Sequence, residues 1–190
     1  MDALRSKPSY SGSDLKTVLV SEIRIEERVI DLAKEISEAY AGRDITIVCV
    51  LSGALVFTAD LIRKLVIPTR LDCIRADSYG NATESDAPPR ITSALKNDIA
   101  GKHVLVVDDI LDTGKTLSAI ARNLEKAKPA SLKTCVLLDK KERRETNIEA
   151  DFSGFEIPDE FVVGYGLDFA EHYRHLPFIG VLKPEFQAFR

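Results

Sequence analysis

The sequence predicts an α/β fold in which a parallel sheet is flanked by helices. Continuous apolar runs of strand length occur at residues 45–51, 104–107 and 132–138, and a further strand is expected at 71–76. Segments with helical apolar spacing alternate with them, at about 25–40, 54–66 and 117–124. Strands that alternate with helices form parallel sheets, and the strands of such sheets are apolar on both faces.

The 190 residues are expected to form a single domain, with irregular segments at the start and in the middle. Residues 1–14 are polar and are interpreted as a loose tail. Residues 78–98 lack periodicity and include Gly80, Pro88 and Pro89. A loop of this length inside a compact domain usually serves as a functional lid, and a disordered insertion is the alternative.

Composition excludes several classes of protein. The net charge of −4 disfavours general nucleic-acid binding. No apolar run has the length of a membrane span, and the first residues lack the apolar segment of a signal peptide, so a cytoplasmic location is expected. Cys49, Cys73 and Cys135 each lie in an apolar run, without the spacing of a zinc site, which is typical of small core residues in a reducing compartment.

The most informative stretch is residues 104–117, Val-Leu-Val-Val-Asp-Asp-Ile-Leu-Asp-Thr-Gly-Lys-Thr-Leu. A buried strand is followed by the acids Asp108, Asp109 and Asp112, and a helix begins near Thr116. Ligands of open α/β sheets bind between the carboxyl ends of strands and the amino ends of helices. The free N–H groups at a helix start suit a phosphate.

The Gly-Lys-Thr sequence at 114–116 also ends the P-loop motif, but that motif needs a glycine where this chain has Asp109. A carboxylate at that position would repel a triphosphate. A ligand with one phosphate and a diol fits better, such as a ribose 5-phosphate unit. Residues 113–116 would then bind the phosphate, and the crowded acids would bind hydroxyl groups or a metal.

Other segments supply further candidate residues. Ser52 and Gly53 form a second strand-to-helix turn, where a glycine permits close approach of a ligand, although many α/β turns contain one. Ser78 and Tyr79 begin the lid loop, where Tyr79 either seals the site or is an incidental surface residue. Lys140 follows a strand, but its charged neighbours also favour simple solvation.

Residues 155–174 contain an aromatic ring, an arginine and an acid near an apolar segment. Phe161 offers a face for stacking on a flat heterocycle, and Val162 offers backbone groups for reading its edge. Core packing explains those two almost as well. It does not explain Asp168 and Arg174, of which the arginine is suited to a phosphate or pyrophosphate.

Residues 104–117 resemble the diphosphoribosyl-pyrophosphate motif of the type I phosphoribosyltransferases. Together with residues 155–168, the turn at Leu51 and the Ser78-Tyr79 pair, the chain from about Ile25 to Lys183 is similar to the bacterial-type hypoxanthine–guanine phosphoribosyltransferases. The resemblance implies a type I phosphoribosyltransferase fold, with a small hood for base recognition at about 150–190 and a flexible lid loop at 78–98. It also implies purine salvage, in which phosphoribose passes from phosphoribosyl pyrophosphate to hypoxanthine, and also to guanine, giving IMP or GMP.

The resemblance also implies a role for each candidate residue. Asp112 would be the general base, and Asp108 and Asp109 would bind ribose. The other implied roles are binding of the 5-phosphate (Thr113, Gly114, Lys115, Thr116), of pyrophosphate (Ser52, Gly53, Arg174), of the purine (Lys140, Phe161, Val162, Asp168) and of Mg²⁺ (Asp108, Asp109, Asp168). Ser78 and Tyr79 would be part of the lid.

Three positions depart from patterns common among relatives: Asp108 in place of Glu, Ser52 in place of Lys, and Lys141 in place of Pro. The resemblance implies a homodimer or homotetramer that needs no nucleic-acid or membrane partner. Two alternatives stay open, a nucleotide-sensing regulator of the same fold that binds RNA and a phosphoribosyltransferase that prefers xanthine.

Overall fold

The computed structural model describes residues 9–77 and 89–188. The chain divides into two compact units, a larger one of residues 29–159 and a smaller one of residues 1–28 with 160–190. In chain order the elements are β1 (Leu15–Val20), α1 (Glu22–Ala39), β2 (Ile45–Leu51), α2 (Leu55–Ile62), β3 (Thr69–Asp77), β4 (Arg90–Ile91), β5 (His103–Leu111), α3 (Lys115–Glu125), β6 (Ser131–Asp139), β7 (Phe152–Glu156), β8 (Val162–Val163) and β9 (Ile179–Leu182).

The larger unit contains a six-stranded sheet of order β4-β3-β2-β5-β6-β7. Strands β3, β2, β5, β6 and β7 are parallel neighbours, and β4 is an antiparallel edge strand. The prediction of a parallel sheet flanked by helices is therefore confirmed. Every residue of β2 except Leu51 is buried, as expected for a strand covered on both faces. Helix α3 buries Leu117, Ile120 and Leu124, which share one helical face.

Strand β5 is longer than the apolar run that predicted it. It extends to Leu111, so Asp108 and Asp109 lie inside the strand rather than after it. The extension is possible because β6 continues beside it, pairing Asp108 with Val136 and Leu111 with Asp139. Strand β7 was not predicted, since its Ser and Gly residues give it no clear alternation; it forms by parallel pairing with β6.

The described part of the expected lid loop is attached to the sheet. Arg90 and Ile91 pair with the end of β3, and Ile91 and Leu95 pack on the buried core. The carboxylate of Asp72 accepts hydrogen bonds from the backbone and side chain of Asn97, at 2.7 and 3.0 Å. Residues 90–91 therefore form a strand where a loop was predicted, whereas residues 92–98 have no regular secondary structure but are held by apolar side chains and the Asp72 contact. Ser78 and Tyr79 lie outside the described residues.

The smaller unit contains an antiparallel sheet of order β1-β9-β8. Residues 9–14, which the sequence placed in a loose tail, are held by hydrogen bonds to the buried carboxylate of Asp14. Its Oδ1 accepts from the Ser9 hydroxyl at 2.7 Å, and its Oδ2 accepts from the Tyr10 backbone at 2.7 Å and the Tyr173 hydroxyl at 2.9 Å. Burial alone would raise the pKa of Asp14, but the hydrogen bonds from Ser9, Tyr173 and Tyr10 outweigh it and lower the pKa.

Tyr173→Phe should lower the free energy of unfolding by about 1.5–3 kcal/mol at pH 7, because a buried carboxylate loses a donor. The lowered pKa of Asp14 means that its contribution is present above the unfolded value of about 3.9 and is lost as pH falls through the folded value. The difference between wild type and variant should therefore shrink below about pH 4. Urea unfolding at several pH values measures this difference in the free energy of unfolding.

The control for this variant is Tyr40→Phe. Tyr40 is equally buried, and its hydroxyl makes no hydrogen bond of good geometry within the described residues. Its loss should lower stability by less than Tyr173→Phe does, because no buried carboxylate loses a donor. Equal effects of the two substitutions would contradict the role assigned to the Asp14–Tyr173 hydrogen bond.

All three cysteines are free, as expected, and Cys49 and Cys135 are buried in strands. Over residues 9–77 and 89–188, none of the helices combines the length and apolarity needed to cross a membrane.

Candidate active site

A cavity of about 330 Å³ opens at the carboxyl ends of β2, β3 and β5. Its walls come from the last residues of these strands, the turn after β5 and the first turn of α3. The lining residues are Val50, Leu51, Gly53, Ala76, Asp108, Asp109, Ile110, Leu111, Asp112, Thr113, Gly114, Thr116 and Leu117. The structure thus brings together most of the stretch that the sequence singled out, with Gly53 from the second turn.

The turn at residues 112–116 is built to expose backbone N–H groups. Gly114 has φ +84° and caps α3, a conformation that favours glycine. A Cβ at this position would collide with Thr146 and Ile148, so the outer side of the turn is closed by that segment. The first N–H groups of α3 have no helical acceptor and carry the positive end of the helix dipole. The turn can therefore bind a phosphate.

Asp108 and Asp109 form a pair of acids at the cavity wall. Asp108 is buried, and burial followed by the charge of Asp109 raises its pKa well above the ordinary value. The Asp109 carboxylate lies so close to Gly53 that a Cβ there would overlap it. A cation or hydroxyl donors from a ligand would relieve the repulsion between the two acids.

Asp112 has a different partner from the one expected. The sequence suggested three mutually repelling acids, but its Oδ1 lies 2.8 Å from Nε of Arg143. That oxygen has almost no solvent contact and, in the part of the chain that is described, makes no well-aligned hydrogen bond. The side chain as a whole is 38% exposed.

Lys140 is buried, with only 8% of its side chain exposed. Its backbone N–H donates to the carbonyl of Leu111 at 2.9 Å, and its Nζ lies 3.6 Å from Asp159. Simple solvation, which its charged neighbours favoured, is therefore wrong for this lysine. Lys140 is not among the residues that line the cavity.

Ser52 and Lys115 also lie outside the lining. Ser52 follows a cis peptide bond after Leu51. The Lys115 ammonium pairs with Glu145 at 2.7 Å, so its side chain points toward the 144–148 segment.

Four predicted residues belong to the smaller unit. Phe161 is 40% exposed and makes an edge contact with Phe169, with ring centroids 5.5 Å apart. Val162 is buried in β8. Arg174 pairs with Asp168 at 2.9 Å and donates to the carbonyl of Gly166 at 2.8 Å.

Residues 139–144 contain further functional candidates besides Lys140, which were not predicted because the charged neighbours of Lys140 favoured simple solvation. Asp139 is buried and forms an ion pair with Arg144, which also donates to the carbonyl oxygens of Leu111 and Asp112, at 3.3 and 2.8 Å. Arg143 contacts Asp112 and Asp159. The only sequence signal was the position of this run after a buried strand, at the sheet edge that carries the cavity.

Within the described residues, no cluster of three or more His, Cys, Asp or Glu side chains is placed to hold a metal by itself. Mg²⁺ needs fewer protein ligands, since it often binds one or two carboxylates together with substrate oxygens. The unfavourable charge of buried Asp108 beside Asp109 fits such a shared site. Asp168 already has Arg174 as its counter-ion, so its charge is balanced without a metal.

The fold and the site define an α/β protein with a turn suited to a phosphate at the carboxyl edge of its sheet, next to paired acids. The phosphoribosyl transferase domain family matches residues 19–170, and the chain belongs to that family.

Relatives and solved structures of the family are similar over nearly the whole chain. The hypoxanthine phosphoribosyltransferase of Escherichia coli is 45% identical over 165 residues, which are 86% of this chain and 93% of that protein. The Listeria monocytogenes bifunctional protein TilS/HprT is 43% identical over 173 residues, but the chain spans only 27% of its length. A crystal structure of a Bacillus anthracis hypoxanthine–guanine phosphoribosyltransferase has 44% identity and a TM-score of 0.85, covering 89% of this chain and 99% of that one.

Proposed function

We propose that this protein transfers the 5-phosphoribosyl group from phosphoribosyl pyrophosphate to hypoxanthine, and also to guanine, releasing pyrophosphate with IMP or GMP. The observation that carries the proposal is the shared cavity of the phosphate-binding turn, the Asp108–Asp109 pair and Asp112. The names of the E. coli and B. anthracis relatives support the choice of a 6-oxopurine.

The cavity residues have different roles in the reaction. The N–H groups and hydroxyls of residues 113–116 hold the 5-phosphate, and Asp108 and Asp109 accept hydrogen bonds from the ribose hydroxyls. These contacts fix the position of the sugar relative to Asp112. Asp112 takes a proton from the imidazole ring of the purine while a nitrogen of that ring forms the bond to C1 of the ribose. Pyrophosphate leaves from the opposite side of C1.

Asp108 and Asp109 would hold Mg²⁺, which would neutralise negative charge on the leaving pyrophosphate. We propose that Ser52 and Gly53 offer backbone groups to pyrophosphate, that Lys140 donates to the purine 6-oxygen, and that Ser78 and Tyr79 belong to a lid. By the resemblance, Phe161 and Val162 contact the purine, and Arg174 contacts pyrophosphate. Asp168 would contribute to purine binding and to a pyrophosphate-side magnesium site.

We also propose that the protein is a homodimer or homotetramer that acts in cytoplasmic purine salvage. Light scattering at micromolar concentration measures the mass in solution. A stable monomer would contradict the oligomer.

Steady-state kinetics on hypoxanthine, guanine, xanthine and adenine, with phosphoribosyl pyrophosphate and Mg²⁺, test the function. We expect the highest kcat/KM for hypoxanthine or guanine, since a lysine donor matches a 6-oxygen but not the 6-amino group of adenine. Xanthine as the best substrate would change the specificity but keep the reaction. Adenine as the best substrate would overturn the role of Lys140.

A further inference from the structure

Four charged side chains of alternating sign connect the proposed base to the proposed purine contact. Nε of Arg143 lies 2.8 Å from Oδ1 of Asp112, and its Nη1 lies 3.5 Å from Oδ2 of Asp159. The other oxygen of Asp159 lies 3.6 Å from Nζ of Lys140. Neither Arg143 nor Asp159 lines the cavity or has a role in the reaction described above.

The two oxygens of Asp112 have different surroundings. Oδ1 is shielded from solvent and faces Arg143, whereas the side chain as a whole is 38% exposed. Asp112 also lines the cavity, so with Oδ1 shielded the carboxylate oxygen left to meet a ligand there is the second one. The contact with Arg143 therefore sets the χ2 angle of Asp112. Without such a contact, the χ2 angle of an aspartate varies over a broad range.

We propose that Arg143 is a positioning residue for Asp112: it holds Oδ1 away from the ligand and so presents the second oxygen of this carboxylate to the purine proton. The inference rests on the proposed function, since it assumes that Asp112 is the base. Asp159 contacts Arg143 from its other end, which limits the movement of the guanidinium.

The charge state of Arg143 fits this role. The charge of Asp112 raises the pKa of Arg143 most, burial opposes that effect, and Asp159 raises it further. The guanidinium therefore keeps its charge throughout the working pH range. At 45% and 38% exposure, the Arg143–Asp112 pair contributes little to folding, so an effect on catalysis can be separated from one on stability.

The test is a double-mutant cycle with Arg143→Met and Asp112→Asn, read in kcat and in the KM for hypoxanthine. Arg143→Met should lower kcat roughly tenfold, because loss of orientation at a reacting group lowers the rate more than it weakens binding. The KM for hypoxanthine should stay within about twofold of the wild-type value, because Arg143→Met removes no contact that binds the ground state. Arg143→Lys should recover part of kcat, since it keeps the charge but loses the planar fork.

The decisive arm is Arg143→Met in the Asp112→Asn background, where there is no base to orient. There kcat should fall no further, a non-additive result that a general structural role would not produce. Lys141→Met is the matched control: it removes a cation from the same turn, where Lys141 pairs with Glu156 at 2.7 Å, and should leave kcat unchanged.

Equal losses from Arg143→Met in both backgrounds would overturn the inference while leaving the proposed function in place. Wild-type kcat in Arg143→Met would do the same. A wild-type protein that forms no nucleotide from any of the four purines would overturn the proposed function, and the inference with it.

Discussion

Asp112→Asn should lower turnover roughly 10²- to 10⁴-fold, the usual contribution of a positioned general base. The substitution keeps the size and polarity of the side chain but removes its capacity to accept the purine proton. This loss corresponds to about 3–5 kcal/mol of transition-state stabilisation. The affinity for phosphoribosyl pyrophosphate should change little, because the phosphate contacts proposed for residues 113–116 are unaltered.

The same substitution should have little effect on folding. The sequence places Asp112 near two other acids, but in the structure it pairs with Arg143. That pair is 45% and 38% exposed, so its loss should cost less than about 1 kcal/mol. Turnover, sugar-substrate affinity and Tm are measured on one preparation of the variant.

Asp60→Asn serves as the matched control, since it removes the same charge from Asp60 on α2, which pairs with Arg63. It should leave turnover and Tm near their wild-type values. Near-normal turnover in Asp112→Asn would remove Asp112 from the catalytic role. A large fall in its Tm would make Asp112 a structural residue of the turn.

Arg144→Met should lower the free energy of unfolding by about 3–5 kcal/mol, which is the usual cost of removing one partner of a buried ion pair. The side chains of Arg144 and Asp139 are only 13% and 5% exposed, so the remaining carboxylate would be buried without its counter-ion. The carbonyl oxygens of Leu111 and Asp112 would also lose a donor. For a chain of this size the Tm should fall by about 6–20 °C.

Urea unfolding of Arg144→Met and of Lys141→Met gives the comparison. Lys141 pairs with Glu156 in an exposed ion pair of the same segment, so its loss should change stability by less than about 1 kcal/mol. Adding Asp139→Leu to Arg144→Met should recover part of the stability, because no uncompensated charge then remains buried. Equal stability of the Arg144→Met and Lys141→Met variants would mean that the Arg144–Asp139 pair does not hold the turn.

The sequence was sufficient where the physical signal is local. The apolar run at 45–51 predicted β2 with its observed bounds, because a strand buried on both faces must be apolar throughout. The acids and the glycine turn at 108–116 were recognisable because they are contiguous, and a glycine with positive φ before a helix is a local requirement. Most of residues 108–116 line the cavity, and they lie close together because they are neighbours in the sequence.

Tertiary structure decided which charges are buried and which residues become their partners. Lys140 and Lys141 are neighbours of the same charge, yet the first is buried against Asp159 and the second is exposed. Parallel pairing of β5 with β6 places residues 139–144 beside the turn at 111–113, where Arg143 meets Asp112 and Arg144 meets its backbone. Apolar periodicity and turn chemistry are properties of a short segment, whereas an ion pair across 31 positions depends on which strands become neighbours. The sequence alone therefore determined the α/β class and the glycine turn before α3, and only the strand order decided the electrostatic surroundings of Asp112.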